Sequence, residues 1–502
     1  MVVLPPNEED EDYNSNYIVY WNNVGLELNR LTHTLGDLWR ATTLTLRLSL
    51  ALPPAVAGAA ITVLEKLYTQ PSAEVSQNAT DQLSKLLKQW VDGFSDLDTL
   101  APSYRFGVSV GNAILDSLDI KPNEPGADQG QCRPQAGRFR FRDDPPNPVK
   151  LVPVDPNHPD VKRAVHQYHA PFYGITAKRL AVHDDHMVAD PPVKDGSTVD
   201  EKTEFSDAFQ EVIRLGGAPE LASTCRQPKE TAGAYFWAYD GANLIGTPPR
   251  FYNRILRTLA WKKKRDGPTD ETTNAEFARL FALANVAMAD AGIFCWRENY
   301  HHEFLRPISA VREDTNQPMV DPFWRALGAP STNTDQISFI PPFPSYPSGH
   351  ATFGAAVFQV VRLFYKSGAT DFEADGPDDI AFDIVSDELD GVSRALRQTY
   401  DQTQPITNQP GTVRTYIKRR FESLWEAIFE NAISRVWLGV HWRFDAFAAN
   451  DKASDIKYKT TGSRTDQSGS FPIGGVPLGL EIANDIFRNN LQPTPKELQP
   501  SP

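Results

Sequence analysis

Cysteine is scarce: Cys132, Cys225 and Cys295 are the only three in 502 residues, widely spaced and odd in number. That excludes a disulfide framework and a zinc-ligand pattern, and the three read as buried thiols. No run of about 18 apolar residues occurs, so no segment reads as a membrane span. The N-terminus, MVVLPPNEEDEDYN, lacks the basic and apolar regions of a secretory signal. One glycosylation sequon, Asn78 with Thr80, is slight support for export. Basic charge is also short. With 50 Lys and Arg against 64 Asp and Glu, the net charge is −14. Such a surface repels nucleic acid and anionic membrane, and neither is expected as a partner. A site for an anion must therefore gather its own positive charge.

Apolar residues are plentiful. Forty per cent hydrophobic with 11% aromatic is enough for a real core, and the length fits one large domain or two packed ones. Residues 1–12 read as a disordered tail. Helical spacing recurs over Asn16–Leu50, Ala55–Tyr68 and Thr80–Phe94, while the Pro- and Asp-rich stretch 121–163 reads as a long irregular connection. The segment FSDAFQEVIRLGG predicts a helix closed by Gly216 and Gly217. A long amphipathic helix is predicted over Asn274–His302, where Phe277, Leu280, Phe281, Ala284, Met288 and Ala291 form one stripe. Pro341, Pro342, Pro344 and Pro347 then lead into a helix at SGHATFGAAVFQVVRLFYK, and another helix is predicted over Thr412–Val436. Few runs alternate like strands. The pattern predicts an all-α, bundle-like chain, with an N-terminal part over 13–220 and a C-terminal part over 221–502.

Three segments carry chemistry. Tyr346-Pro347-Ser348-Gly349-His350 opens a helix, whose unpaired N–H groups and positive dipole end suit an oxyanion. Taken alone, Ser348 reads more readily as an ordinary N-cap. Ser434-Arg435 is followed by Gly439, His441 and Asp445. On an unbroken helix Arg435 and His441 would point roughly 120° apart. Gly439 offers a break that could turn both to one point, with Asp445 fixing the second imidazole nitrogen. A salt-bridged helix face with a packed histidine is the plainer alternative. Arg306-Pro307, read as lying on the long helix before the Pro-rich lead-in, adds a guanidinium suited to two-pronged contact with an oxyanion.

The order Arg-Pro, Pro-Ser-Gly-His, then Ser-Arg, five residues, His, three residues, Asp is similar to the signature shared by vanadium haloperoxidases and type 2 phosphatidic acid phosphatases. Resemblance to the fungal vanadium chloroperoxidases extends to WAYDGANLIGTPPRFYN (237–253), ENAISRVWLGVHWRFD (430–445) and FPIGGVPLGLEIAND (471–485). It covers the chain from about residue 13, although stretches near 40–55 and 447–458 look shorter than the family norm. The resemblance implies two packed four-helix bundles with long irregular connections and a vanadate cofactor in the C-terminal half. His441 would bond the metal, with Arg306, Arg435, Ser348 and the Gly349 N–H around the oxygens. His350 would act as acid–base, Asp240 would hold Arg435, and Phe343 and Trp296 would shape a halide pocket. The implied reaction is oxidation of chloride or bromide by hydrogen peroxide to hypohalous acid, which passes halogen to an organic acceptor. The family's usual location implies secretion; the missing signal points otherwise to the cytoplasm.

At one place the family pattern has lysine and this chain has Asn299, seven residues before Arg306. Seven residues return to nearly the same helix face, so position 299 is expected to face the site. Exchanging a charge-assisted hydrogen bond for a neutral one costs on the order of 1–2 kcal/mol, about tenfold in rate or binding. His302 lies on that face too and could partly substitute when protonated, whereas Arg297 falls opposite. Two other functions remain open on the residues. A soluble acid phosphatase would use His441 as nucleophile and His350 as the proton donor. A non-catalytic relative would bind the oxyanion without turnover.

Overall fold

The structure, a computed structural model, describes residues 53–68, 77–92, 97–117, 137–142, 149–155, 158–166, 177–193, 199–265, 272–314, 316–317, 319–334, 338, 340–366, 376–396, 404–405, 408–448, 463–465 and 470–500. The expected tail over 1–12, the helical stretch Asn16–Leu50, Cys132 and most of the 447–458 stretch lie outside these residues.

Helices dominate. The N-terminal part holds α1 (Pro53–Tyr68), α2 (Gln77–Asp92) and α3 (Pro102–Ser117), with α1 packed along α3. A hairpin, β1 (Val149–Asp155) and β2 (His158–His166), follows in the stretch read as irregular, its register running from Val149↔His166 to Asp155↔His158. Its prolines hid it from a pattern reading. Next come α4 (Val199–Gly216), ended where the Gly pair stands, α5 (Pro228–Phe236), α6 (Pro248–Arg265), α7 (Thr272–His302), the short α8 (Pro307–Glu313) and α9 (Gly349–Lys366).

The stretch predicted as one helix over Thr412–Val436 is divided. Strand β3 (Phe382–Val385) precedes β4 (Arg394–Ala395), which pairs with β5 (Thr412–Val413), while β6 (Lys418–Phe421) pairs with β3; only then does α10 (Leu424–Trp437) begin. Ser423 supplies the reason. Its hydroxyl accepts from the Glu426 N–H at 3.0 Å, and Glu426 reaches back to the Glu422 N–H at 2.8 Å. This cap fixes the helix start. The chain closes with α11 (Arg443–Ala446), the β7 (Ser463–Thr465) and β8 (Ser470–Pro472) pair, and α12 (Gly475–Asn489).

At the centre of the C-terminal half lies α9. Phe353, Ala355, Ala356, Val357, Phe358, Val360 and Val361 are all buried, as for a helix apolar all round. It packs against α12 and α7, with α10 across it and α6 beyond. Helix α7 passes the length and apolarity test for a membrane span over Ala275–His302, yet 89% of that window is buried inside the fold. It is a core helix. Cys295 on α7 is buried as expected, whereas Cys225 sits exposed on a surface turn, so the expectation of buried thiols fails there.

Candidate active site

Helix α10 carries Arg435 in its last turn and ends at Trp437. Gly439 follows at φ 72°, a left-handed conformation that only glycine adopts without strain. A side chain there would also meet the Gly216 carbonyl oxygen at 2.3 Å, so α4 and this turn require glycine at both contact points. The turn redirects the chain and brings His441 back beside Arg435. His441 Nδ1 lies 2.9 Å from Asp445 Oδ2, and that same oxygen accepts from the Trp442 N–H at 3.0 Å. An oxygen accepting from one N–H accepts from Nδ1–H as well. The Nε2 lone pair is then free to accept, and Arg306 Nη1 donates to it at 3.1 Å.

Arg306 is the N-cap of α8, with Pro307 in the first turn. This differs from the sequence reading, which placed it on the long helix. Glu303, at φ 49°, ends the regular path of α7, and the guanidinium reaches the site from the following loop. It is fully buried and held by the carbonyls of Phe343 at 2.8 Å, Val440 at 2.7 Å and Pro344 at 3.3 Å. The Phe343 ring lies 4.7 Å from its Cζ, and Trp296 meets that ring edge-on at 5.1 Å. Arg435 is clamped by Asp240 through two hydrogen bonds, at 2.9 and 2.7 Å. Burial pushes the Asp240 carboxyl up, but Arg435 outweighs it and holds it below the usual range.

Ser348 and Gly349 form the tip of α9. A Cβ on Gly349 would sit 2.6 Å from Trp296 Cη2, so the indole roofs the helix tip only because residue 349 has no side chain. Gly349→Ala is expected to displace that roof and lower stability by about 1–3 kcal/mol, checked by chemical denaturation. His350 follows, its carbonyl accepting from Asn431 Nδ2 at 2.7 Å and from the Tyr252 hydroxyl at 3.3 Å. Asn431 stands one turn before Arg435, so it ties the α9 tip to the helix bearing that guanidinium. Sequence reasoning missed it, although a polar residue on the buried stripe of α10 was a readable signal. Ser345 was missed too; its hydroxyl donates to the Leu305 carbonyl at 3.0 Å and hydrogen-bonds Asp445.

The electrostatics follow from burial among cations. Desolvation first, then Arg435, depress His350 to about 3, and desolvation, Arg306 and Arg435 hold His441 well below the ordinary histidine range. Both imidazoles are thereby kept neutral at neutral pH, and His350 Nε2 has no partner while His441 Nε2 faces Arg306. Burial pushes the Asp445 carboxyl up to about 8, against the pull of the Trp442 N–H and Arg306. Six buried side-chain atoms here have no hydrogen-bond partner: Ser348 Oγ, His350 Nε2, Arg435 Nε, Trp296 Nε1, Asn299 Oδ1 and Asp445 Oδ1. Orphaned buried polar atoms are costly and rare, so such a group marks where a polar ligand belongs.

Asn299 is fully buried, and its Nδ2 donates to the Pro347 carbonyl at 2.6 Å. The helical spacing to Arg306 did not place it, since α7 ends between them; its bond to the residue before Ser348 does. His302 does not stand in for a lysine. Its nitrogens lie 3.6 Å from Asp190 and from Glu298, and its ring meets Tyr346 edge-on. Arg297 pairs with Asp185, Glu298 and the His186 carbonyl, on the far side as expected.

Comparisons with known proteins bear on the family and the fold. The vanadium chloroperoxidase N-terminal domain matches residues 4–52 and 51–179, and the VCPO second helical-bundle domain matches 279–463. Vanadium chloroperoxidase of Curvularia inaequalis is 47% identical over 578 aligned positions, covering 100% of this chain and 94% of that protein. Among solved structures, the holo-type bacterial vanadium-dependent chloroperoxidase superposes with a TM-score of 0.53 at 13% identity, over 96% of this chain and 95% of that one. A bacterial vanadium-dependent iodoperoxidase gives 0.50 at 19% identity, over 96% and 92%. At these identities the structures share the fold; the sequence relationship places this chain in the vanadium chloroperoxidase family.

Proposed function

We propose that the protein is a vanadate-dependent haloperoxidase, oxidising chloride or bromide with hydrogen peroxide to hypohalous acid. The observation that carries this is the setting of His441: Nδ1 held by Asp445 and Nε2 accepting only from Arg306 Nη1, with Arg435 and the α9 tip close by. A tetrahedral oxyanion of a metal at its highest oxidation state fits that donor set: one imidazole for the metal, Arg306, Arg435, Ser348 Oγ and the Gly349 N–H for the oxygens. When bound, vanadate supplies Lewis-acid activation of the peroxide toward halide attack.

The remaining work falls to the side chains. Arg306 and Arg435 offset the anionic charge in a buried setting where water would otherwise compete. Asp240 keeps Arg435 aimed, and Asp445 keeps the Nδ1–H tautomer of His441. His350, neutral with an unpartnered Nε2, takes a proton from incoming peroxide and returns it to the departing oxygen. Phe343 and Trp296 wall off the approach of the halide with apolar surface, and hypohalous acid reaches an organic acceptor beyond them.

The test is halogenation of monochlorodimedone by purified protein with vanadate, peroxide and either halide. No turnover with vanadate bound would remove the enzymatic reading, and hydrolysis of p-nitrophenyl phosphate in its place would favour the phosphatase chemistry. A further expectation concerns Asp240→Ala. It leaves a buried guanidinium unpaired and should cost about 3–5 kcal/mol of stability. Because an oxyanion can pair with Arg435 in its place, vanadate should raise the melting temperature of this variant more than that of the unaltered protein.

A further inference from the structure

Asn299 carries a buried, unpartnered acceptor next to the chain that leads into the α9 tip. Its amide orientation is fixed, because Nδ2 donates to the Pro347 carbonyl at 2.6 Å and also lies 3.9 Å from Cys295 Sγ. Flipping the amide would set its oxygen against the Pro347 carbonyl oxygen, two acceptors with no hydrogen between them. Oδ1 is therefore the free end, fully buried and without a donor. Among the six orphaned atoms of the site, Ser348 Oγ can donate, as can the N–H groups of Arg435 and Trp296; His350 Nε2 is the proton-transfer group and Asp445 Oδ1 belongs to the carboxyl behind His441, so Asn299 Oδ1 is the amide acceptor of the set. An anion's bare oxygens satisfy the donors. They repel Oδ1.

We propose that Asn299 is a specificity-determining residue which makes the site select oxyanions that carry a hydroxyl, such as hydrogenvanadate and hydrogenphosphate, over tetrahedral anions with none, such as sulfate and molybdate. This rests on the oxyanion-site reading given above and adds which protonation class the site takes. The physical reason is satisfaction of a buried acceptor. An O–H donor on the ligand pairs with Oδ1, whereas an aprotic ligand leaves it desolvated beside a negative oxygen. Sites built to hydrogen-bond a ligand hydroxyl reject analogues without it far more strongly than apolar pockets reject a missing methylene. One neutral hydrogen bond and its unsatisfied alternative correspond to on the order of 10–100-fold in affinity.

Hydrogenphosphate and sulfate make a controlled pair at mildly alkaline pH, where both are tetrahedral dianions of similar size and differ by one hydroxyl. Titration calorimetry of the full-length, vanadate-free protein with each anion reads the preference directly. Hydrogenphosphate is expected to bind on the order of 10–100-fold more tightly than sulfate. In Asn299→Leu the ratio should fall toward one, and in Asn299→Lys, where a donor replaces the acceptor, sulfate should bind at least as well as hydrogenphosphate. Equal affinity of the unaltered protein for both anions overturns the proposal while leaving the oxyanion site standing. Failure of every oxyanion, vanadate included, to bind overturns both. The comparison on the unaltered protein decides the matter even where a variant does not fold.

Discussion

Halide oxidation is expected to fall by roughly a thousandfold or more in His441→Ala, a loss of about 4 kcal/mol in transition-state stabilisation. Of the three side chains joined here, His441, Arg306 and Arg435, only the imidazole can serve as a nitrogen ligand; the two guanidinium groups are donors only and cannot bond a metal. Removing it takes away the atom that sets where an oxyanion's central atom sits, and leaves ion pairing, which is tolerant of position. The fold should survive. Asp445 Oδ2 keeps its bond from the Trp442 N–H, and Arg306 keeps three carbonyl partners. A stability cost of about 2–4 kcal/mol is expected from the missing buried ring and its lost bonds. Two measurements separate the effects. Steady-state halogenation reports the rate loss, and phosphate titration of the variant should still show binding, because both guanidinium groups and the α9 tip remain. A variant that retains more than about a tenth of the rate would remove His441 from the metal-bonding role.

The geometry of the candidate site was legible in the sequence where local rules act over a few residues. Gly439 could be read as the break between Arg435 and His441 because the spacing demanded a turn and glycine takes a left-handed turn without strain, as it does here at φ 72°. The Pro-Ser-Gly start of α9 was legible for the same reason, being chain-local capping chemistry. Position 299 was harder. Periodicity along α7 suggested that it shares a face with Arg306, but the helix stops at His302 and the next residues take another path. The right neighbourhood was inferred from a rule that does not apply across that break. His302 failed differently: its face was right, and two carboxylates from elsewhere in the fold and on its own helix claimed it. Long-range partners of this kind leave no trace in spacing. The β6–α10 boundary was readable and was missed, since Ser423 and Glu426 form a cap signature ahead of the apolar run. Asn431 and Ser345 act through carbonyls and a carboxyl brought together only by the tertiary fold, so their roles had to come from coordinates.

Introducing the cation that Asn299 lacks should have the opposite effect to removing His441. In Asn299→Lys, halide oxidation at saturating vanadate is expected to rise about tenfold or more, the difference between a charge-assisted and a neutral hydrogen bond in a buried site. The reasoning depends on what else could supply that charge. Arg297 is engaged with Asp185 and Glu298, and His302 faces Asp190 and Glu298, so neither is placed to compensate. The site as it stands sets Arg306 and Arg435 against Asp240, with one carboxylate already drawn in. A third cation makes it more attractive to an anion and less comfortable without one. The variant should therefore be less stable than the unaltered protein when vanadate-free, by about 1–3 kcal/mol for a buried ammonium beside two guanidinium groups, and should recover that deficit when vanadate is added. Melting temperatures with and without vanadate test the electrostatic half, and the halogenation rate tests the catalytic half. A variant destabilised without vanadate and rescued by it, yet no faster, would show that positive charge at residue 299 aids binding while the oxidation step draws on Arg306 and Arg435 alone.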